Sequence, residues 1–307
     1  TNAADESEEP GLINPDNNSA SAGGKNSSAF GVNAIVDDTA TNGLAMGYQS
    51  QVGEGATNSV SIGSQTQANG ESSVALGHGS QANGKQSISI GTGNVVNGNH
   101  SGAIGDPSII DGDNSYSIGN NNTVTTDDSF VLGNNVTKTA ENSVNLGSGS
   151  VATTEASKHT AGTSQYDKNT IGDTEYSFAG GKAVGVVTVG AEGAERRVQH
   201  VAAGLISKDS TDAINGSQLY ATNQAVDSLI KGEAGPVQYV KDGDGKAQNV
   251  VNLKGDADSN APVTLSNVAD GKAPNDAVNV GQMQKMGDKI NNRIDGLEDE
   301  SRAGVAT

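Results

Sequence analysis

The chain has 307 residues, 42 of them glycine, with three Phe, six Tyr and no Trp. So few large side chains cannot fill conventional globular cores of this length, and repetition and association must supply the burial. The net charge of −18, with no arginine before Arg196, excludes nucleic acid and anionic membrane as direct ligands, because both require basic patches. The absence of cysteine rules out disulfides and thiolate sites, and it suits a surface protein exported unfolded.

Residues 1–26 carry four acidic side chains in the first nine positions and read as a flexible lead-in. They lack the layout of a signal peptide, and no stretch approaches about eighteen apolar residues, so an exported protein's signal and anchor are expected outside this sequence.

Residues 27–152 repeat one short phrase nine times, including SVSIG, SVALG, SISIG and SVNLG. The closing glycine falls at 31, 47, 63, 77, 91, 105, 119, 133 and 147. A fixed short period marks stacked units that bury their apolar sides against one another. Apolar Val74 and Leu76 alternate with Ser73 and Ala75, which predicts a strand. A second segment ends at Gly70, Gly84 and Gly98. The expectation is two strands of about five residues per rung, with left-handed turn angles supplied by glycine or asparagine. At about 4.8 Å per rung, nine rungs make a parallel β-coil roughly 40 Å long. The alternation makes Val60, Ile62, Val74 and Leu76 core. The small residues between them (Ser61, Ala75, Ser89, Ala103, Ser117) are read as sites of close approach by other copies of the chain in an obligate homo-oligomer.

Residues 153–194 are expected to hold a loop insertion and then terminal strands at 176–178 and 182–190. A joint, ERRVQHVAAG followed by TDAINGSQL, occupies 195–218, with Asp212 as the candidate helix cap. A helical seam through Leu219, Asn223, Val226 and Ile230 makes 219–233 a coiled coil. Residues 234–264 read as a β-rich insert with strands VQYV, NVVNL and PVTL and a DGDG turn. A second joint, VADG then NDAVNVGQM, covers 265–282, and a second seam through Val280, Met283, Ile290, Ile294 and Leu297 leads through 283–307.

The SVALG and SQANG rungs, followed by the two joints, closely resemble the trimeric autotransporter adhesins of Gram-negative bacteria over residues 27 to 283. The resemblance implies an all-β, left-handed parallel β-roll head of the YadA-like kind in a homotrimer, followed by neck modules, short trimeric coiled coils and a small β-rich stalk insert. It also implies a bacterial cell surface location, with an outer-membrane β-barrel anchor absent from these residues. The implied partners are host extracellular-matrix proteins of the collagen, fibronectin or laminin class, host cells, and other bacteria by self-association. The alternative is a structural spacer whose binding tip lies elsewhere.

In this family some heads bind collagen through rungs resembling NSVSIG, SSVALG, NSYSIG and NSVNLG. That makes Asn58, Ser59, Ser61, Ser72, Ser73, Asn114, Ser115, Asn142 and Ser143 the candidate ligand contacts, each weak and summed by multivalency. Arg196 and Arg197 match the neck's arginine pair and are expected to bridge neighbouring chains. Asn223 sits at a core position of its seam, where it fixes register or, in a trimer, rings an anion with its two copies. The four histidines are scattered surface residues. DGDNS (111–115) and DADSN (256–260) lack the twelfth-position glutamate of a calcium loop and read as turns. No nucleophile and base, phosphate loop, metal set or cofactor motif is present in the sequence.

Overall fold

The structure is a computed structural model describing residues 19–255 and 261–306, and it divides after Ile214 into two compact units. The former DADSN turn lies outside the described residues.

In the first unit the strands alternate between two parallel sheets. Eight belong to one sheet, from Ser21–Ala22 to Thr123–Val124, and ten to the other, from Ser28–Phe30 to Val187–Thr188. Each strand pairs with the strand one rung away, as in Val60↔Val74, Ser61↔Ala75 and Ile62↔Leu76. The two strands of a rung are unequal. In the central rungs the ten-stranded sheet takes five residues, as in Val74–His78, whereas the eight-stranded sheet takes two, as in Gln81–Ala82. The coil also begins within the expected lead-in, because Ser21 and Ala22 pair with Ile35 and Val36.

The alternation runs in the sense opposite to the one expected. Ser61, Ala75, Ser89, Ala103 and Ser117 point into the coil and are fully or almost fully buried. Opposite them stand Val52, Ala68, Ala82, Val96, Ile110 and Val124 from the eight-stranded sheet. A coil of fourteen residues per turn is too narrow to hold large side chains from both sheets, so the ten-stranded sheet contributes Ala or Ser and turns its aliphatic residues out. Val60, Ile62 and Val74 are half-buried and Leu76 is exposed; none is core within the single chain.

The glycines serve two different ends. Gly77 has φ +123°, and a Cβ placed there would lie 2.0 Å from the carbonyl oxygen of Gly91. Gly84 has no such angle, and it is required by stacking alone, since its Cβ would meet the carbonyl of Gly98. At Gly70, Gly84 and Gly98, therefore, close approach replaces the expected left-handed turn. The left-handed residue of that turn lies two positions further on, at Ser72, Gln86 and His100.

Residues 153–173 are not all loop. Lys168–Ile171 and Thr174–Ser177 form an exposed antiparallel hairpin around Gly172, with a Lys168–Glu175 ion pair across it. Of 182–190, only Val187–Thr188 is strand, and it stacks on Val144 and Asn145 as the last rung.

The second unit contains helix α1 (Gly216–Ile230), an antiparallel hairpin of Val237–Lys241 and Ala247–Leu253, and helix α2 (Val280–Val305). Asp212 does not cap α1. Asn215 does, in a capping box with Gln218, and Asn279 and Gln282 repeat that box at α2. Asp212 instead accepts from the backbone N–H of Leu205. The turn around 242–245 forms as expected, with Asp242 Oδ1 accepting from the N–H groups of Asp244 and Lys246. PVTL at 262–265 is not a strand, because no strand among the described residues lines up beside it and Pro262 has no N–H to donate.

Candidate adhesive and association surfaces

Two apolar columns run down the outer face of the ten-stranded sheet. One passes through Leu44, Val60, Val74, Ile88, Tyr116, Phe130 and Val144. The other passes through Phe30, Met46, Ile62, Leu76, Ile90, Ile104, Ile118, Leu132 and Leu146. Leu132 is 55% exposed. The first column skips only at Gly102, where the ring of Tyr116 fills the space and stacks on Phe130 at 6.0 Å between centroids. An apolar face of this extent on a water-exposed rod marks a surface that another molecule covers.

The candidate ligand residues separate into two groups. Ser59, Ser61, Ser73, Ser115 and Ser143 are buried and cannot touch a ligand. Most of them belong to a ladder tying rung to rung. The Ser59 hydroxyl donates to the Gly70 carbonyl at 2.7 Å and accepts from the N–H of Ser73 at 3.0 Å. Ser115 repeats this, donating to the Thr126 carbonyl and accepting from the N–H of Ser129. The sign of that role was available in the sequence, since serine recurs at this position at 59, 73, 87, 101, 115, 129 and 143. Asn58, Asn114 and Asn142 are exposed and Ser72 is half-buried, all in the left-handed conformation at one edge of the coil. Nearby runs a side-chain ladder that the sequence reading did not single out, in which Asn69 donates to Asn83 (2.7 Å), Asn83 to Asn97 (2.8 Å) and Asn97 to Asp111 (2.8 Å).

Arg196 closes the base of the coil. Its guanidinium lies over Gly147, where every rung above has the carbonyl of the next glycine, and donates to the carbonyls of Ser148 (2.8 Å) and Val189 (2.9 Å). Within the chain Arg196 is held by its own last rung, whose carbonyls have no further rung to accept from. Arg197 is exposed and makes no hydrogen bond or ion pair among the described residues. Beside this cap a cleft of about 530 Å³ is lined by Val151, Val187, His159, Glu192 and Glu195 among others, with His159 Nε2 3.0 Å from Glu192. The N–H of Gly193 donates to Glu195 and holds its carboxyl below the usual range.

In the second joint, Asp276 accepts from the N–H groups of Ala273 and Lys272, both at 2.9 Å, and these bonds depress its pKa. Both helices are without a buried residue: Leu219, Val226 and Asn223 on α1 and Val280, Met283 and Ile290 on α2 all face outward.

These surfaces define a class of repeat protein, with a stacked β exterior in one unit and exposed helical seams in the other. Sequence comparison gives the lineage. The family described as the YadA head domain repeat matches residues 55–80, 82–106 and 111–135, and the coiled stalk of trimeric autotransporter adhesin matches 197–242 and 264–306. The chain belongs to the trimeric autotransporter adhesins, a non-enzymatic family. Among its relatives, autotransporter adhesin BtaE of Brucella suis biovar 1 (strain 1330) is 47% identical over 90 residues, which is 28% of this chain and 12% of that protein. Autotransporter adhesin BadA of Bartonella henselae is 36% identical over 107 residues, 34% of this chain and 3% of that one. The chain therefore spans a small part of the length of both. Among solved structures, the C-terminal YadA-like domain of BPSL2063 from Burkholderia pseudomallei aligns over 42% of this chain and 52% of its own, at 37% identity and a TM-score of 0.31. The collagen-binding domain of Yersinia adhesin YadA aligns over 55% and 84%, at 23% identity and a TM-score of 0.34.

Proposed function

We propose that this chain is the head, neck and stalk portion of a homotrimeric, outer-membrane-anchored adhesin that binds host extracellular-matrix proteins or host cells. The observation that carries the trimer is the pair of apolar columns on the ten-stranded sheet, open to solvent in one chain and continuous over nearly every rung. Two further copies packed about an axis cover all three such faces at once, and the exposed seams of α1 and α2 extend the same association along the stalk. In this reading 27–152 is the head, 195–218 and 265–282 are necks, and Asn223 sets the register of the first coil.

Binding then falls to the surfaces that remain outside. The exposed turn residues Asn58, Asn114 and Asn142, with half-buried Ser72, recur along one edge of each chain, so three chains offer many weak contacts to a long ligand. Self-association between bacteria uses the same exterior. The test is a solid-phase assay of this chain against collagen, fibronectin and laminin, with the triple variant N58A, N114A, N142A in parallel. Saturable binding to one of them, lost in the variant, is expected. Binding to none identifies a spacer and overturns the adhesive reading of these residues.

A further inference from the structure

We propose that residues 262–265 form a third strand in trans, added to the free edge of the strand Ala247–Leu253 in a neighbouring copy of the chain. The inference rests on the homotrimer reading above.

The edge can be read from its hydrogen bonds. Tyr239 donates its N–H outward to the Gly232 carbonyl, so Tyr239 and its register partner Val251 do not bond to each other. Lys254, three residues along, donates to Pro236 in the opposite phase. The N–H and C=O groups of Val251 and Leu253 therefore point away from the hairpin, and among the described residues the sheet has no third strand to receive them. Natural edge strands carry charges, proline or bulges that discourage pairing. This one, AQNVVNL, has no charge and no proline, its register irregularity falls between Ala247 and Val251 and so leaves Val251–Leu253 regular, and Val251 is 53% exposed.

Residues 262–265, PVTL, complement it. Val263 and Leu265 alternate with Pro262 and Thr264, Leu265 is 65% exposed, and none of the four makes a hydrogen bond among the described residues. Proline at the first position suits an edge strand. The edge and the segment belong to the same chain yet remain unpaired among the described residues, so the partner comes from outside. The insert lies between α1 and α2, and both helices expose an apolar seam. Helices packed along such seams have axes about 8–10 Å apart, which brings the inserts of neighbouring copies within reach of one another. The occupant is a second copy.

The chain has no cysteine, so engineered ones report cleanly. Chains carrying Val251→Cys would be co-expressed with chains carrying, in turn, Val263→Cys, Thr264→Cys or Leu265→Cys, and then oxidised. At least one combination is expected to give a disulfide joining one chain of each kind on a denaturing gel. Amide exchange at Val251 and Leu253 is expected to be at least tenfold slower in the parent than in Thr264→Pro or Leu265→Pro, one of which must remove a bonding N–H. A threefold solution mass with no joined chains and unchanged exchange overturns the strand and leaves the trimer standing. A mass of one chain overturns both. Slow exchange at this edge only after addition of a foreign extended peptide makes it a docking site for another protein and overturns pairing between copies.

Discussion

Gly77 and Gly79 sit two residues apart, and the structure asks different things of them. Gly77 combines a positive φ with a neighbouring carbonyl in the space of its missing Cβ, whereas Gly79, at φ +63°, has nothing within 4 Å. Gly77→Ala should therefore destabilise the coil by more than about 3 kcal/mol, because a backbone must move. Gly79→Ala should cost about 1 kcal/mol, for the left-handed angle alone. Thermal unfolding of the two variants reads the difference, and equal costs would refute the stacking argument. Asp276 carries a pH dependence of known sign. Its carboxyl is held low in the folded joint by the N–H groups of Ala273 and Lys272, so the unfolded chain binds the proton more readily. The stabilisation is complete above the usual aspartate range and disappears as pH falls through the lower folded value. Protection factors for amide exchange at residues 271–277, taken relative to the intrinsic rate at each pH, should fall on acidification in the parent chain and be low already at neutral pH in Asp276→Asn. Such residue-level detail was only half legible in the sequence. The repeated serines and glycines were plain, but their roles depend on which atom of the next rung lies above them, and no single rung contains that information.

At the scale of elements, ends matter most. Arg196 stands in for a missing rung, so Arg196→Ala should raise amide exchange around Val144–Leu146 and Val187–Thr188 while leaving the helices unchanged. Arg196→Lys should not restore protection, since one ammonium cannot reach two diverging carbonyls with a guanidinium's geometry. Asn215→Ala removes the cap of α1 and should lower its stability by about 1 kcal/mol, read from the helical circular dichroism signal on heating. Strands and helices were legible from their periods of two and about three and a half. Exceptions arose where another part of the structure decided the outcome. Asp212 was drawn away from the helix by the N–H of Leu205, the strand Lys168–Ile171 exists only through its partner Thr174–Ser177, and PVTL has no partner strand among the described residues.

For the molecule as a whole, the sense of the alternation decides the account. Period two established that each rung has two faces, but not which face is inside. The narrowness of the coil settles that, putting Ala75 in and Leu76 out. A substitution pair separates fold from association. Ala75→Leu overfills the interior and should cost at least about 1–3 kcal/mol of coil stability, with loss of strand signal. Leu76→Asp, outward on the apolar column, should leave the rung folded and weaken the assembly. The inversion also makes association a stronger demand than the sequence alone implied, since large aliphatic side chains rather than small ones await cover. The most direct measurement is the solution mass of the intact chain by light scattering. The account predicts three times the 30.8 kDa chain. A folded monomer with its columns of leucine and isoleucine open to water would contradict it.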